Sequence, residues 1–231
     1  MEDLPVVIPC FNNPTYLRAM VEQLLALNLG RLIIADNASS YPPLLAYLDE
    51  LQGRFTVVRW KENRGPRALV QDANFYDSLP DCFAITDPDL VFHHALPRDF
   101  VAQLLQLTQQ YQVGKAGFAL DISQPEQLLP EPFQIGDDLC RIWEWEAQFW
   151  KTPLPEAGQD PAYRALIDTT FAIYNKTYFR RETHLDGIRV AGRYTARHLP
   201  WYRENKMPAD EYAFYRATSK HSFYVGTPPA S

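Results

Sequence analysis

The chain has 231 residues, 22 Lys+Arg against 28 Asp+Glu for a formal net charge of −6, with 46% hydrophobic and 22% charged residues. That length and composition suit one globular domain with a real core, and exclude a disordered tail or a fibre. The acidic balance excludes a protein that holds nucleic acid by broad phosphate neutralisation.

The first half alternates apolar runs with helical patterns. Val6-Val7-Ile8 reads as a strand stopped by Pro9. Asn13-Pro14 is an N-cap followed by Pro at the first helical position. Leu17, Met20, Val21, Leu24 and Leu25 then repeat at helical spacing, and Gly30 is expected to close the helix. A strand over 32–35 runs into the polar loop Asp36-Asn37-Ala38-Ser39-Ser40. A helix over 43–52, a strand over 55–58, a helical stretch over 65–76 and a strand over 82–86 follow. A helix over 98–111 and a strand over 115–120 complete this half. Strands alternating with helices predict βαβ units and a mostly parallel α/β sheet covered on both faces. Ligands of such sheets sit at the carboxyl ends of the strands. The second half is Pro-, Gln- and Trp-rich over 121–164, with a helix expected over 137–150. A strand over 167–174, a basic patch and a last helix over 209–218 follow. One domain is expected over 1–231, with 121–231 an excursion built on the edge of the 1–120 half.

Cys10, Cys82 and Cys140 are widely spaced, odd in number and without a CxxC pair, so they read as reduced thiols. The start shows no secretory leader, and no apolar run approaches the roughly 18 residues of a membrane span. A cytoplasmic location is expected, with peripheral membrane contact the closest approach to a bilayer. The first strand-to-helix turn has no GxGxxG, and neither a P-loop nor a GxSxG elbow occurs. The sharpest feature is Ile85-Thr86-Asp87-Pro88-Asp89-Leu90-Val91. Positions i and i+2 of an extended chain share a face, and Pro88 keeps Asp87 out of the helical region. Two like charges so held are costly unless a cation sits between them. A hard divalent ion, Mn²⁺ or Mg²⁺, is the natural occupant and can neutralise a diphosphate.

The chain resembles the GT-A glycosyltransferases, in particular glycosyltransferase family 2. The opening Val7-Ile8-Pro9-Cys10-Phe11-Asn12 is similar to that family's start, and Ile34-Ala35-Asp36-Asn37-Ala38-Ser39 to its second strand. Asn63-Arg64-Gly65-Pro66-Arg67 is similar to its nucleotide-proximal loop, and Asp87-Pro88-Asp89 to its DxD. The four occur in family order within residues 5–120. The resemblance implies a GT-A fold and transfer of a sugar from a nucleoside diphosphate donor, usually UDP-linked, to a hydroxyl of a saccharide or lipid-linked glycan, with inversion. It implies that Asp36 meets the base, that Pro9 and Asn12 line the base and ribose pocket, and that Asp87 and Asp89 reach ribose and metal. Asp36 is equally suited to an Asx-turn that orders its own loop. Arg64 and Arg67 beside Gly65, together with Arg197, are the candidate cations for the diphosphate.

Inverting members carry a carboxylate base, and four residues compete for that role. Asp210-Glu211 looks like the family's acidic pair, but also like a first-turn acidic cap. Asp168 opens the expected strand, where Asp168-Thr169-Thr170 can orient an acceptor and take its proton. Glu146 lies in the run Trp145-Glu146-Ala147-Gln148-Phe149-Trp150. Trp145, Trp150 and Trp201 are candidate acceptor contacts, since indole faces stack on pyranose rings, although aromatics at helical spacing also build cores. His198 is the candidate third metal ligand, and His93 its rival on the face of Asp89 and Val91. A non-catalytic nucleotide-sugar- or saccharide-binding protein on the same fold is the alternative.

Overall fold

The computed structural model describes residues 4–65, 67–135, 137–155, 158–168, 170–204 and 207–219. Pro66 of the 63–67 loop and Thr169 of the Asp168-Thr169-Thr170 run lie outside them. The elements are β1 (Val6–Cys10), α1 (Pro14–Ala26), β2 (Leu32–Asp36), α2 (Pro42–Gln52), β3 (Thr56–Arg59), α3 (Ala68–Gln71), α4 (Ala73–Ser78), β4 (Cys82–Ile85) and β5 (Leu90–Phe92). They continue with α5 (Phe100–Gln110), β6 (Lys115–Leu120), β7 (Phe133–Ile135), β8 (Asp138–Cys140), α6 (Ile142–Ala147), β9 (Ala162–Leu166), β10 (Ala172–Asn175), β11 (Asp186–His198) and α7 (Ala209–Thr218).

Nine strands form one sheet in the order β3-β2-β1-β4-β10-β6-β11-β5, with β9 paired to β11. β3, β2, β1 and β4 are mutually parallel, so Arg59, Asp36, Cys10 and Ile85 end on one edge. β10 runs antiparallel to both β4 and β6. The second half therefore supplies a central strand and is more than an addition to the sheet edge. Helices cover both faces. Leu17, Met20 and Leu24 of α1, Leu44 and Leu48 of α2, and Leu104 of α5 pack on one side with Ile8 and Ile34. Leu69, Val70 and Tyr76 from α3 and α4 pack on the other with Val7, Phe83 and Ile85.

Several elements differ from the sequence expectation. α1 stops at Ala26, because Asn28 takes the left-handed conformation at φ 61. The Leu29 amide then donates to the Leu24 carbonyl at 2.9 Å and the Asn28 amide to Leu25 at 3.0 Å, closing the helix before Gly30 is reached. The helical stretch over 65–76 breaks at Asp72, which is extended and caps α4 by accepting from the Phe75 amide at 3.0 Å. The helix expected over 137–150 is a hairpin, β7–β8, followed by α6 and one turn of 3₁₀ helix. The strand expected over 167–174 is displaced: β10 begins at Ala172, and Ile167 and Asp168 belong to the crossing from β9. The basic patch contains the longest strand, β11, which bends at Gly192 (φ 61) and shifts register between Val190 and Thr195. That bend lets one strand pair with β9 along its first half and with β5 along its second.

Gly117 in β6 marks the tightest approach. A Cβ there would lie 2.6 Å from the Ala172 Cβ and also strike the Phe171 carbonyl, both on the neighbouring chain segment. Gly117→Ala is therefore expected to destabilise by about 2–3 kcal/mol in urea unfolding. Gly30→Ala, with nothing within 4 Å of the added carbon, is expected to be neutral or slightly stabilising.

Candidate active site

β4 ends at Ile85, and the Thr86 amide donates to the Val7 carbonyl at 3.1 Å, which starts the Asp87-Pro88-Asp89 turn alongside the C-terminal part of β1. β5 follows at once and pairs with the end of β11, setting His198 opposite Leu90. The Leu199 amide donates to the Asp89 carbonyl at 2.9 Å. Residues more than a hundred positions apart are thereby joined: ligand atoms of Asp87, Asp89 and His198 all lie within 4.8 Å of one another. His198 Nε2 is 3.4 Å from Asp89 Oδ1. Burial lowers the imidazole pKa, but the charges of Asp89, Asp87 and Glu146 outweigh it and leave His198 above its ordinary value.

Two carboxylates and one imidazole are an oxygen-and-nitrogen donor set that suits Mn²⁺ better than Mg²⁺, which favours oxygen. Asp89 Oδ1 is buried and has no close hydrogen-bond partner among the described residues, a cost that a cation bound at this cluster would offset. His93 lies past the end of β5, where its Nδ1 accepts from the Ala95 amide at 3.1 Å, and it is outside the cluster.

Across the same edge, Asp36 ends β2 and is 3% exposed. Its Oδ1 accepts from the Ser39 amide at 3.1 Å, the loop-ordering turn. Burial pushes the Asp36 carboxyl up, against the lowering effect of Ser39 and Arg59. Asn12 is fully buried with φ 51. Its Oδ1 accepts from the Ser40 and Tyr41 amides at 2.8 and 2.9 Å, and its Nδ2 donates to Thr218 Oγ1 at 2.9 Å. Asn12 thus shapes the loop from below, its polar atoms already engaged, while Pro9 lies within β1, half-buried beside Ala35.

Gly65 takes φ 79, a left-handed value that favours glycine, and its carbonyl accepts from Asn37 Nδ2 at 3.1 Å. Asn37 Oδ1 also accepts from the Arg64 amide at 2.9 Å. The asparagine after Asp36 therefore ties the second-strand loop to the 63–67 loop. The Arg64 guanidinium turns away to Asp72 at 2.5 Å. Arg67 meets Asp168 with two bonds, at 3.3 and 3.2 Å. Arg197 lies over the Tyr202 ring, 4.0 Å from its centroid, on the opposite face of β11 from His198.

The four carboxylates proposed as base have different surroundings. Glu146 is 3% exposed and bonded to Arg189 at 2.6 Å; burial raises its pKa against that partner. Asp210 accepts from the Tyr41 hydroxyl at 3.0 Å, which holds its carboxyl low. Glu211, also 3% exposed, accepts from the Thr15 amide and hydroxyl at 3.2 and 2.6 Å. Asp168 faces Arg67 and keeps 45% side-chain exposure. Among the aromatics, Trp201 stands edge-on to His198 at 4.6 Å. Trp145 packs on Phe149 and Trp150 on Tyr163, with Trp150 Nε1 buried and without a hydrogen-bond partner among the described residues.

Sequence reading assigned nothing to Gln23. From α1 its Nε2 donates to the Leu90 carbonyl at 3.2 Å and its Oε1 accepts from the Phe92 amide at 2.9 Å, so it completes the free edge of β5 just after Asp89. The only local signal was a polar residue between Met20 and Leu24 on an otherwise apolar stripe.

Residues 6–119 match the family described as Glycosyl transferase family 2. No curated protein matches the sequence. Among solved structures, GalNAc-T7 with UDP, GalNAc and Mn²⁺ is 13% identical at a TM-score of 0.52, covering 86% of this chain and 44% of that one. HddC from Yersinia pseudotuberculosis is 9% identical at a TM-score of 0.50, covering 91% of this chain and 97% of its own. S. aureus TarS, at 12% identity and a TM-score of 0.47, is covered over 38% of its length. The chain thus spans less than half of the GalNAc-T7 and TarS chains. The fold, with its strand ends and the matched region, leads to one conclusion: the chain has a GT-A fold, and its residues 6–119 match glycosyltransferase family 2.

Proposed function

We propose that the chain is a glycosyltransferase that moves a sugar from a nucleoside diphosphate donor, UDP-linked, to a hydroxyl of a saccharide or lipid-linked glycan, with inversion. The observation that carries this reading is the convergence of Asp87, Asp89 and His198 at the strand-end edge of the region that matches family 2. Asp87, Asp89 and His198 would hold the divalent cation, and Mn²⁺ accompanies UDP and GalNAc in GalNAc-T7, which shares the fold. When bound, the cation stabilises the charge of the departing diphosphate.

The chain's own residues supply the rest. Asp36 and the loop shaped by Asn12, Pro9 and Gly65 receive the nucleoside, and Arg67, whose pair with Asp168 is half-exposed, is the candidate to compensate phosphate charge. Arg64 and Arg197 are withdrawn from that role, because Asp72 and Tyr202 engage them. Of the four carboxylates, Asp168 is the one we assign as base, because its pair with Arg67 is half-exposed and can open: Glu146 is buried against Arg189, Glu211 is spent on Thr15, and Asp210 is a poor proton acceptor beside Tyr41. Asp168 takes the acceptor proton as the acceptor oxygen bonds to the anomeric carbon and the bond to the diphosphate breaks on the opposite side. Trp201, with Trp145 and Trp150, offers indole faces for the acceptor ring.

Thermal shift with UDP, GDP, CDP and dTDP, each with and without Mn²⁺, tests the donor assignment. A nucleotide at a hundred times its Kd stabilises by about 2.7 kcal/mol, a shift of several degrees. A Mn²⁺-dependent shift with UDP alone is expected; a flat response to all four overturns the reading. Because all four carboxylates already have structural partners, Asp168 through its exposed pair with Arg67, a non-catalytic binder on the same fold is the second reading. It requires a UDP-sugar to bind with neither transfer nor hydrolysis, whereas the enzyme consumes it and the Asp168→Asn protein binds it without turnover.

A further inference from the structure

The last helix lies across the two loops that leave β1 and β2. At its first turn Asp210 accepts from the Tyr41 hydroxyl, and Glu211 accepts from both the amide and the hydroxyl of Thr15. At its last turn Thr218 Oγ1 accepts from Asn12 Nδ2. Between these points Phe214 meets the Tyr41 ring at 4.8 Å and Tyr215 meets Phe11 at 6.3 Å. Glu211 is the buried residue of α7, so this helix docks through a polar side chain where most helices dock through an apolar stripe.

Thr15 explains why that contact is specific. α1 opens with Asn13 and Pro14, yet the Asn13 side chain makes no cap bond to the helix and accepts instead from the Phe11 amide at 3.3 Å. The first-turn amides of a helix lack intrahelical acceptors, and an anion beside them is favoured by the helix dipole. Glu211 supplies the missing acceptor from 196 residues away. Asn12 has the same dependence: its Oδ1 fixes the Ser40 and Tyr41 amides, and its Nδ2 is satisfied by Thr218. Each loop carries a group whose geometry is completed by α7.

We infer that α7 is a strap that fixes the loops after β1 and β2 in the donor-binding conformation, with Glu211 as a positioning residue that acts through Thr15. The donor part of this inference rests on the function proposed above, whereas the loop part does not. Glu211→Ala, Glu211→Gln and the milder Thr15→Val are compared with the wild-type chain by hydrogen exchange at the Thr15, Ser40 and Tyr41 amides, and by UDP and Mn²⁺ titration. Glu211→Ala is expected to speed exchange at all three amides and to raise the UDP Kd about ten-fold, with Mn²⁺ affinity unchanged. Glu211→Gln, which keeps an acceptor for the Thr15 amide, recovers most of the UDP affinity, and Thr15→Val falls between. Should Glu211→Ala fail to fold, the Gln and Val proteins carry the comparison. Faster exchange confined to Thr15, or unchanged exchange throughout, overturns the strap. Faster exchange with an unchanged UDP Kd overturns the positioning role and leaves a purely structural cap. If the wild-type chain binds none of the four nucleotides, the donor reading falls and takes the positioning role with it, while the exchange data alone still decide whether α7 holds the loops.

Discussion

Asp89→Ala is expected to lose Mn²⁺ binding by more than about 100-fold and sugar transfer by about 10³-fold or more, while keeping its fold. The reasoning is electrostatic. Asp87 and Asp89 are held close by Pro88 and by the pairing of β5 with β11, and His198 stands 3.4 Å from Asp89. Without a cation the two carboxylates repel, which offsets the lost pairing of Asp89 with His198, so removing Asp89 costs the metal-free protein only about 1–2 kcal/mol. With Mn²⁺ present, the wild-type chain gains stability by mass action and the variant does not. The measurement is the Mn²⁺-induced change in melting temperature, backed by direct titration of the ion and by turnover. A variant that melts like the wild-type chain in EDTA but no longer responds to Mn²⁺ supports the site. Unchanged turnover in Asp89→Ala sinks the assignment of these residues.

A second large effect is expected at Lys115, the first residue of β6. Its side chain is 1% exposed, and Nζ donates to the Ile167 carbonyl at 2.5 Å. Burial drives its pKa from the usual 10.5 down to about 7, with Asp168 and Asp186 opposing and Arg189 and Arg67 adding to the fall. Between those values the unfolded chain binds a proton that the folded chain has released. Folding stability therefore rises with pH across this window, by roughly 1.4 kcal/mol per pH unit at most. Below pH 7 the penalty for the buried ammonium is present in full, and above the unfolded pKa it has vanished. Lys115→Met removes the titrating group, so from pH 7 to 10 the wild-type chain should gain several kcal/mol relative to it. Urea unfolding of both proteins at half-unit steps in pH measures the difference; parallel curves would show that Lys115 keeps its proton in the fold. The carbonyl it holds belongs to the crossing that carries Asp168, which places a titrating lysine directly behind the proposed base.

The parallel half of the sheet was legible in the sequence because its signals are local. Val6–Ile8, Leu32–Ala35 and Cys82–Ile85 are apolar runs bounded by turn residues, and each ends in the polar cluster that the strand-end rule singles out. Asp87 and Asp89 could be paired on paper because Pro88 constrains the backbone between them. The second half resisted for an equally physical reason. β11 is rich in Arg, so its composition reads as a solvated patch, and its bend at Gly192 breaks any single alternation. β10 is only four residues long and gains its stability as a central strand between β4 and β6, a context that no sequence window contains. The hairpin over 133–140 took residues that helical spacing had claimed, because cross-strand pairing overrode propensity.

What the sequence by itself determined is the set of strand-end motifs, the two aspartates and the alternation of strands and helices in the first half, since all three are written within short windows of the chain. What the tertiary structure alone decided is how the acidic and basic side chains are used. His198 joins the aspartates through the pairing of β5 with β11, Arg197 is turned to Tyr202, and Glu146 is neutralised by Arg189. Glu211, which looked like a base or the acidic first turn of its own helix, caps a different one. A charged side chain takes its role from the partner that compensates its charge, and for these residues that partner lies tens to hundreds of positions away.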